Sequence, residues 1–151
     1  MYTREEASQV KKNFWTSFGQ YMKPVRGAEG QIINWLNYKT GTKHLYFRLD
    51  AEKRMASVSV EISHPDQAER KSLFEQLRAL REMLEDHTRE KWLWQDEVYD
   101  ETGRTMSRIM ISIENVNVFN AGDWPQIISF LKPRIIALDA FWSEAKDFIN
   151  A

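Results

Sequence analysis

The chain has 151 residues, 42% of them hydrophobic and 13% aromatic, which is enough apolar material for one folded core and excludes a disordered chain. Its 21 basic and 22 acidic residues nearly cancel, so no global field directs it to DNA or to a membrane surface. The absence of cysteine excludes disulfides, thiolate metal sites and thiol nucleophiles.

Thr3 followed by Glu6 is a capping-box spacing, and Ala7, Val10, Phe14 and Phe18 then recur on one helical face, so a first helix is expected over residues 4–21. Gly19 weakens its last turn and Pro24 closes it. A loop with two glycines follows over 25–30. Residues 32–63 read as three successive strands joined by two short turns. The second of these, 43–50, alternates Leu45, Phe47 and Leu49 with His44, Tyr46, Arg48 and Asp50. The third sets Ala56, Val58, Val60 and Ile62 against Ser57, Ser59, Glu61 and Ser63.

His64, Pro65 and Asp66 end that strand and open a second helix, with Pro65 expected in its first turn. Its stripe of Ala68, Phe74, Leu77, Leu80, Met83 and Leu84 carries it to about His87. Residues 92–99 and 104–114 form a hairpin around Gly103, in which Ile109, Ile111 and Ile113 oppose Arg108, Met110 and Ser112. Asp123 is placed to cap a last helix from Trp124, with Gln126 returning the bond, and Pro133 is expected to kink or break that helix. The expected fold is a single α+β domain over 1–151, a mainly antiparallel five-stranded sheet with helices packed on it.

No run approaches membrane-spanning length, and no apolar signal core follows the N-terminus, so no membrane partner and a cytoplasmic location are expected. A mildly basic stretch over 1–50 beside an acidic one over 51–103 reads as solvated helix faces. Phosphate-loop, dinucleotide, zinc-protease, nucleophile-elbow and calcium-loop patterns are all missing, and no cofactor is expected. The three histidines, His44, His64 and His87, are scattered over strand, turn and helix end, where surface or capping roles suffice.

Two functional readings come from the strands. In the first, His44, Tyr46, Arg48, Ser57, Ser59 and Glu61, joined by Arg108, line a polar sheet face that binds a nucleic acid or a protein. Arginines and aromatic rings on a sheet can stack on bases or hold anions. A helix over that face would instead make Arg48 and Glu61 a buried pair. In the second, the order of elements matches the core of PD-(D/E)XK nucleases, with Asp50 and Glu61 as metal-binding carboxylates. Ser63 then stands where the activating lysine belongs, so the site is incomplete. The six tryptophans are expected mainly in the core, while exposed aromatic residues would favour a homodimer.

Phe14-Trp15, Tyr46-Phe47-Arg48, Val60-Glu61-Ile62, Phe74 with Leu77, Trp92-Leu93-Trp94, Ser107-Arg108-Ile109 and Asp123-Trp124 form an ordered set along the chain. In these residues the chain resembles the bacterial family known as domain of unknown function 4268. In longer relatives a similar module follows a nuclease-like domain. The resemblance therefore implies an accessory or recognition role near nucleic acid, and it carries no catalytic residues with it. The expected function is a non-enzymatic binding or interaction domain, with a degenerate or active nuclease as the alternative.

Overall fold

The computed structural model describes residues 2–150. In chain order the elements are α1 (Arg4–Met22), β1 (Leu45–Ala51), β2 (Met55–Ile62), α2 (Gln67–Arg78), α3 (Arg81–Thr88), β3 (Leu93–Tyr99), β4 (Thr105–Glu114) and α4 (Trp124–Ala145). Short 3-10 turns lie at Trp35–Asn37, Ala121–Asp123 and Lys146–Phe148.

The sheet has four strands in the order β1-β2-β4-β3, and every pairing is antiparallel. The fifth strand expected over 32–38 does not form. Among the described residues that segment takes part in β pairing only through a lone bridge between Arg26 and Ile32. Its asparagines decide this: Asn34 accepts a bond from the Asn37 N–H and closes a 3-10 turn, an alternative to pairing that asparagine side chains offer the backbone. Trp35 is buried and donates from Nε1 to the Val25 carbonyl across 3.1 Å, so the loop folds back on itself.

Leu45, Phe47, Val58, Val60, Ile62 and Ile109 form the inner sheet face, packed in one core with Phe14 and Phe18 of α1, Phe74 and Leu77 of α2, and Ile127, Leu131, Ile135 and Leu138 of α4. The expected alternation of direction holds on β1 and β2, although Ser57 and Ser59 on the outer face of β2 are buried as well. All helical cover in this core comes to one face, giving a two-layer α+β domain. None of the six tryptophans is exposed: Trp35, Trp92 and Trp142 are buried and Trp15, Trp94 and Trp124 are half-buried. The exposed aromatic residues are Tyr2, Tyr21, Tyr46, Tyr99 and Phe148. Among the described residues no helix is long and apolar enough to cross a membrane.

Four local expectations change. The helix expected to run to His87 is two helices, broken at Ala79–Leu80, where the Leu80 N–H bonds back to the Leu77 carbonyl and ends α2. α4 continues through Pro133, so of the expected kink or break the break does not occur. Both Pro133 and Ser129, whose carbonyl loses its partner there, are exposed, so water can replace the bond. Asp123 stands at the cap position, but its Oδ2 accepts from the Asn117 N–H at 3.0 Å, and no capping box forms on α4. The capping box of Thr3 and Glu6 on α1 is present as read. Pro65 falls outside α2, because Asp66 takes the cap by accepting from the Ala68 and Glu69 N–H groups.

Candidate functional site

Strand register assembles the outer face of the sheet. Tyr46, Glu61, Arg108 and Gln95 form one row across all four strands, and Arg48, Ser59, Met110 and Leu93 form the next. Asp50, Ser57 and Ser112 make a third. Neighbouring strands lie about 4.8 Å apart, so a row spans roughly 14 Å. The expected binding residues Tyr46, Arg48, Ser57, Ser59, Glu61 and Arg108 therefore share one surface.

The face is open. The Arg48 side chain is 52% exposed, and no helix covers it as the buried-pair reading required. Its guanidinium lies 4.6 Å from the centre of the Tyr46 ring, and its Nε is 3.7 Å from Glu61 Oε1. Ser59 Oγ donates to the other Glu61 oxygen at 3.2 Å. Arg108 donates from Nε to Gln95 Oε1 at 2.9 Å, and its Nη donors have no protein partner among the described residues. Ser57 and Ser59 are nearly inaccessible because longer side chains stand on both sides of them. The arrangement offers one stacked aromatic ring, two arginines and a carboxylate on a shallow surface.

His44 lies outside these rows. It precedes β1 with a positive φ of 66°, and its ring meets His64 at 4.4 Å between centroids. Asp50 and Glu61 point to the same side, but Glu61 pairs with Tyr46 and Asp50 lies four residues further along β1. At about 3.3 Å per residue their backbones are roughly 13 Å apart along the strand, too far to share one ion. Among the described residues no group of three or more histidines, aspartates or glutamates could hold a metal. Partial burial, with the adjacent Glu52 carboxylate, pushes Asp50 up to about 6, while its bond from the Ala51 N–H opposes the shift. Glu52 is itself bound to Lys11 of α1 at 2.6 Å.

Sequence reading missed Arg70, which is 1% exposed at the start of α2. Its Nη1 donates to the Ser107 hydroxyl and the Asp96 carbonyl, and its Nη2 to Glu97 at 3.4 Å. The signal was there: Arg70, Leu73, Phe74 and Leu77 share one helical face, so a charge stands at the head of an apolar stripe. It also missed Asp139, buried on α4, which accepts from the Tyr38 hydroxyl and from the Ala28 N–H at 2.8 Å. Arg70 ties α2 to β3 and β4, and Asp139 secures the loop between α1 and β1.

Residues 10–146 match the family described as domain of unknown function (DUF4268). The chain belongs to that family. No curated protein and no solved structure gives a match. Of the residue groups that carry the resemblance, Tyr46-Phe47-Arg48 sends Phe47 to the core and its neighbours to the outer face, while Ser107-Arg108-Ile109 sends Arg108 outward and its neighbours inward. In this DUF4268 member these segments contribute to both the core and the open surface.

Proposed function

We propose that this chain is a non-enzymatic recognition domain that binds single-stranded nucleic acid across the outer face of its sheet. The observation that carries the reading is the uncovered row of Tyr46, Glu61 and Arg108 with Arg48 stacked against Tyr46. An open antiparallel sheet bearing an aromatic ring can take an unstacked base, and arginines beside it can meet the phosphates. The carboxylates Glu61 and Asp50 offset much of the positive charge, so affinity comes from stacking more than from counterion release.

Anisotropy titrations of labelled single- and double-stranded DNA and RNA, at low and near-physiological salt, test this. Saturable binding of single strands, weakened by salt and by Arg48→Ala or Arg108→Ala, is the expected result. A parallel gel with and without manganese checks the nuclease alternative. Manganese-dependent cleavage abolished by Glu61→Ala would overturn the non-enzymatic reading, as would failure to bind any strand.

A further inference from the structure

At one end of the Tyr46 row the surface drops into a cleft of about 890 Å³. Its walls come from the start of β1, the β2–α2 loop, the first turn of α2 and the β3–β4 turn, with His44, Tyr46, His64, Gln67, Glu97 and Arg104 among them. The size lies in the range of small-molecule clefts, about 300–1,000 Å³. Tyr46 belongs to both the cleft and the sheet face.

The two imidazoles sit at the wall this cleft shares with a second one of about 490 Å³. The Asp66 N–H donates to His64 Nδ1 at 2.9 Å, which requires an unprotonated Nδ1 and leaves the hydrogen on Nε2. His64 therefore offers a neutral donor, and its free nitrogen has no lone pair for a metal.

The acidic groups of the cleft are engaged. Asp100 Oδ1 accepts from the Thr102 N–H, the Thr102 hydroxyl and the Arg104 N–H, and Glu97 faces Arg70. The Arg104 guanidinium has neither a hydrogen bond nor an ion pair among the described residues, and Gly103 before it, at φ 82°, makes the turn that presents it. One free cation, mixed donors and acceptors, and an aromatic wall suit a hydrogen-bonding ring that carries a phosphate.

We propose that this cleft holds the terminal nucleotide of a single strand lying along the sheet face, with its base against Tyr46 and its phosphate at Arg104. The inference rests on the sheet-face reading and adds where the strand ends. Tyr46 is the end member of its row, because β1 is an edge strand, so a strand lying along the row ends beside this cleft.

The test compares a linear single strand with the same sequence closed into a circle, by anisotropy on the full chain. A second arm titrates thymidine 5′-monophosphate while the imidazole NMR signals of His44 and His64 are followed. His44→Gly removes one ring without backbone strain, because a positive φ favours glycine, and Arg104→Ala removes the free cation. One stacked base is worth on the order of tenfold in affinity, so the circle should bind about tenfold more weakly than the linear strand. Either substitution should abolish that difference, and the mononucleotide should shift both rings. Equal binding of circle and line overturns the proposal and leaves the sheet-face reading standing. Shifted rings with no strand binding remove the sheet-face reading and show an independent nucleotide cleft. Unmoved rings at millimolar nucleotide overturn the cleft assignment outright.

Discussion

Arg70 Nη1 donates to Ser107 Oγ across 2.6 Å, joining the first turn of α2 to the inner face of β4 where both residues are buried. Ser107 passes a bond on to the Asp96 carbonyl, which Arg70 also reaches, at the irregularity between Gln95 and Val98 in β3. A strand bulge leaves backbone groups unpaired, and here a guanidinium supplies the missing donor.

Arg70→Ala should therefore destabilise the domain by about 3 kcal/mol, because it removes two buried charge-assisted bonds and leaves the Ser107 hydroxyl and the Asp96 carbonyl only their bond to each other. Arg70→Lys should recover little, since one ammonium cannot reproduce the fork. Urea unfolding of the two variants measures both. A loss below about 1 kcal/mol for Arg70→Ala would mean that water satisfies the bulge equally well.

The clamp on the α1–β1 loop gives a second expectation. Burial first, and then the bond to Asp139, hold the Tyr38 hydroxyl far above its ordinary range, so it stays a donor at all accessible pH values. Tyr38→Phe should cost about 1–2 kcal/mol, and Asp139→Asn a similar amount. A double-mutant cycle should give a coupling energy of at least about 0.5 kcal/mol, as expected for groups in contact. Protection of the Ala28 amide from hydrogen exchange should fall in Asp139→Ala, because that amide donates to the lost carboxylate.

β1 and the first helix were readable because their burial follows sequence periodicity: Leu45 and Phe47 face in, and Tyr46 and Arg48 face out. The segment 32–38 was misread because apolar Ile32, Ile33, Trp35 and Leu36 suit an edge strand, whereas tertiary bonds of Trp35 and Tyr38 decide its path. The helix break at Leu80 has no glycine or proline to mark it. The outer-face group was legible because i and i+2 residues share a side of a strand. The cleft was not, since His44, His64 and Arg104 come from three separate connections.

Asp50 supplies a pH signature. Its carboxyl is raised from 3.8 to about 6 in the folded chain, so the folded state holds the proton more tightly than the unfolded one. That contribution is complete below about 3.8 and is lost as the pH rises through about 6. Asp50→Asn should match the parent protein near pH 4 and exceed it in stability above pH 6, by about 1 kcal/mol once solvent screening of this half-open group is allowed for. Urea unfolding of both proteins across that interval checks the sign. A variant that is less stable at neutral pH would show that the charged carboxylate, through Lys11 or the Ala51 N–H, is the favoured form.

The salt dependence of binding separates the two arginines from the aromatic ring. Each phosphate neutralised on a single strand contributes about −0.7 to the slope of log affinity against log salt, so Arg48 and Arg108 together should contribute about −1.4 to it. Arg48→Ala and Arg108→Ala should each make the slope about 0.7 shallower and weaken binding about equally across sequences. Tyr46→Ala should weaken binding by about tenfold and leave the slope unchanged, because stacking releases no counterions. In Arg48→Ala the Tyr46 ring also loses the guanidinium 4.6 Å from its centre, so the two losses should combine less than additively. A Tyr46→Ala variant with a shallower slope would show instead that the ring acts by holding Arg48 in place. Isothermal titrations at several salt concentrations, run on the three single variants and on the double variant of Tyr46 and Arg48, distinguish these outcomes.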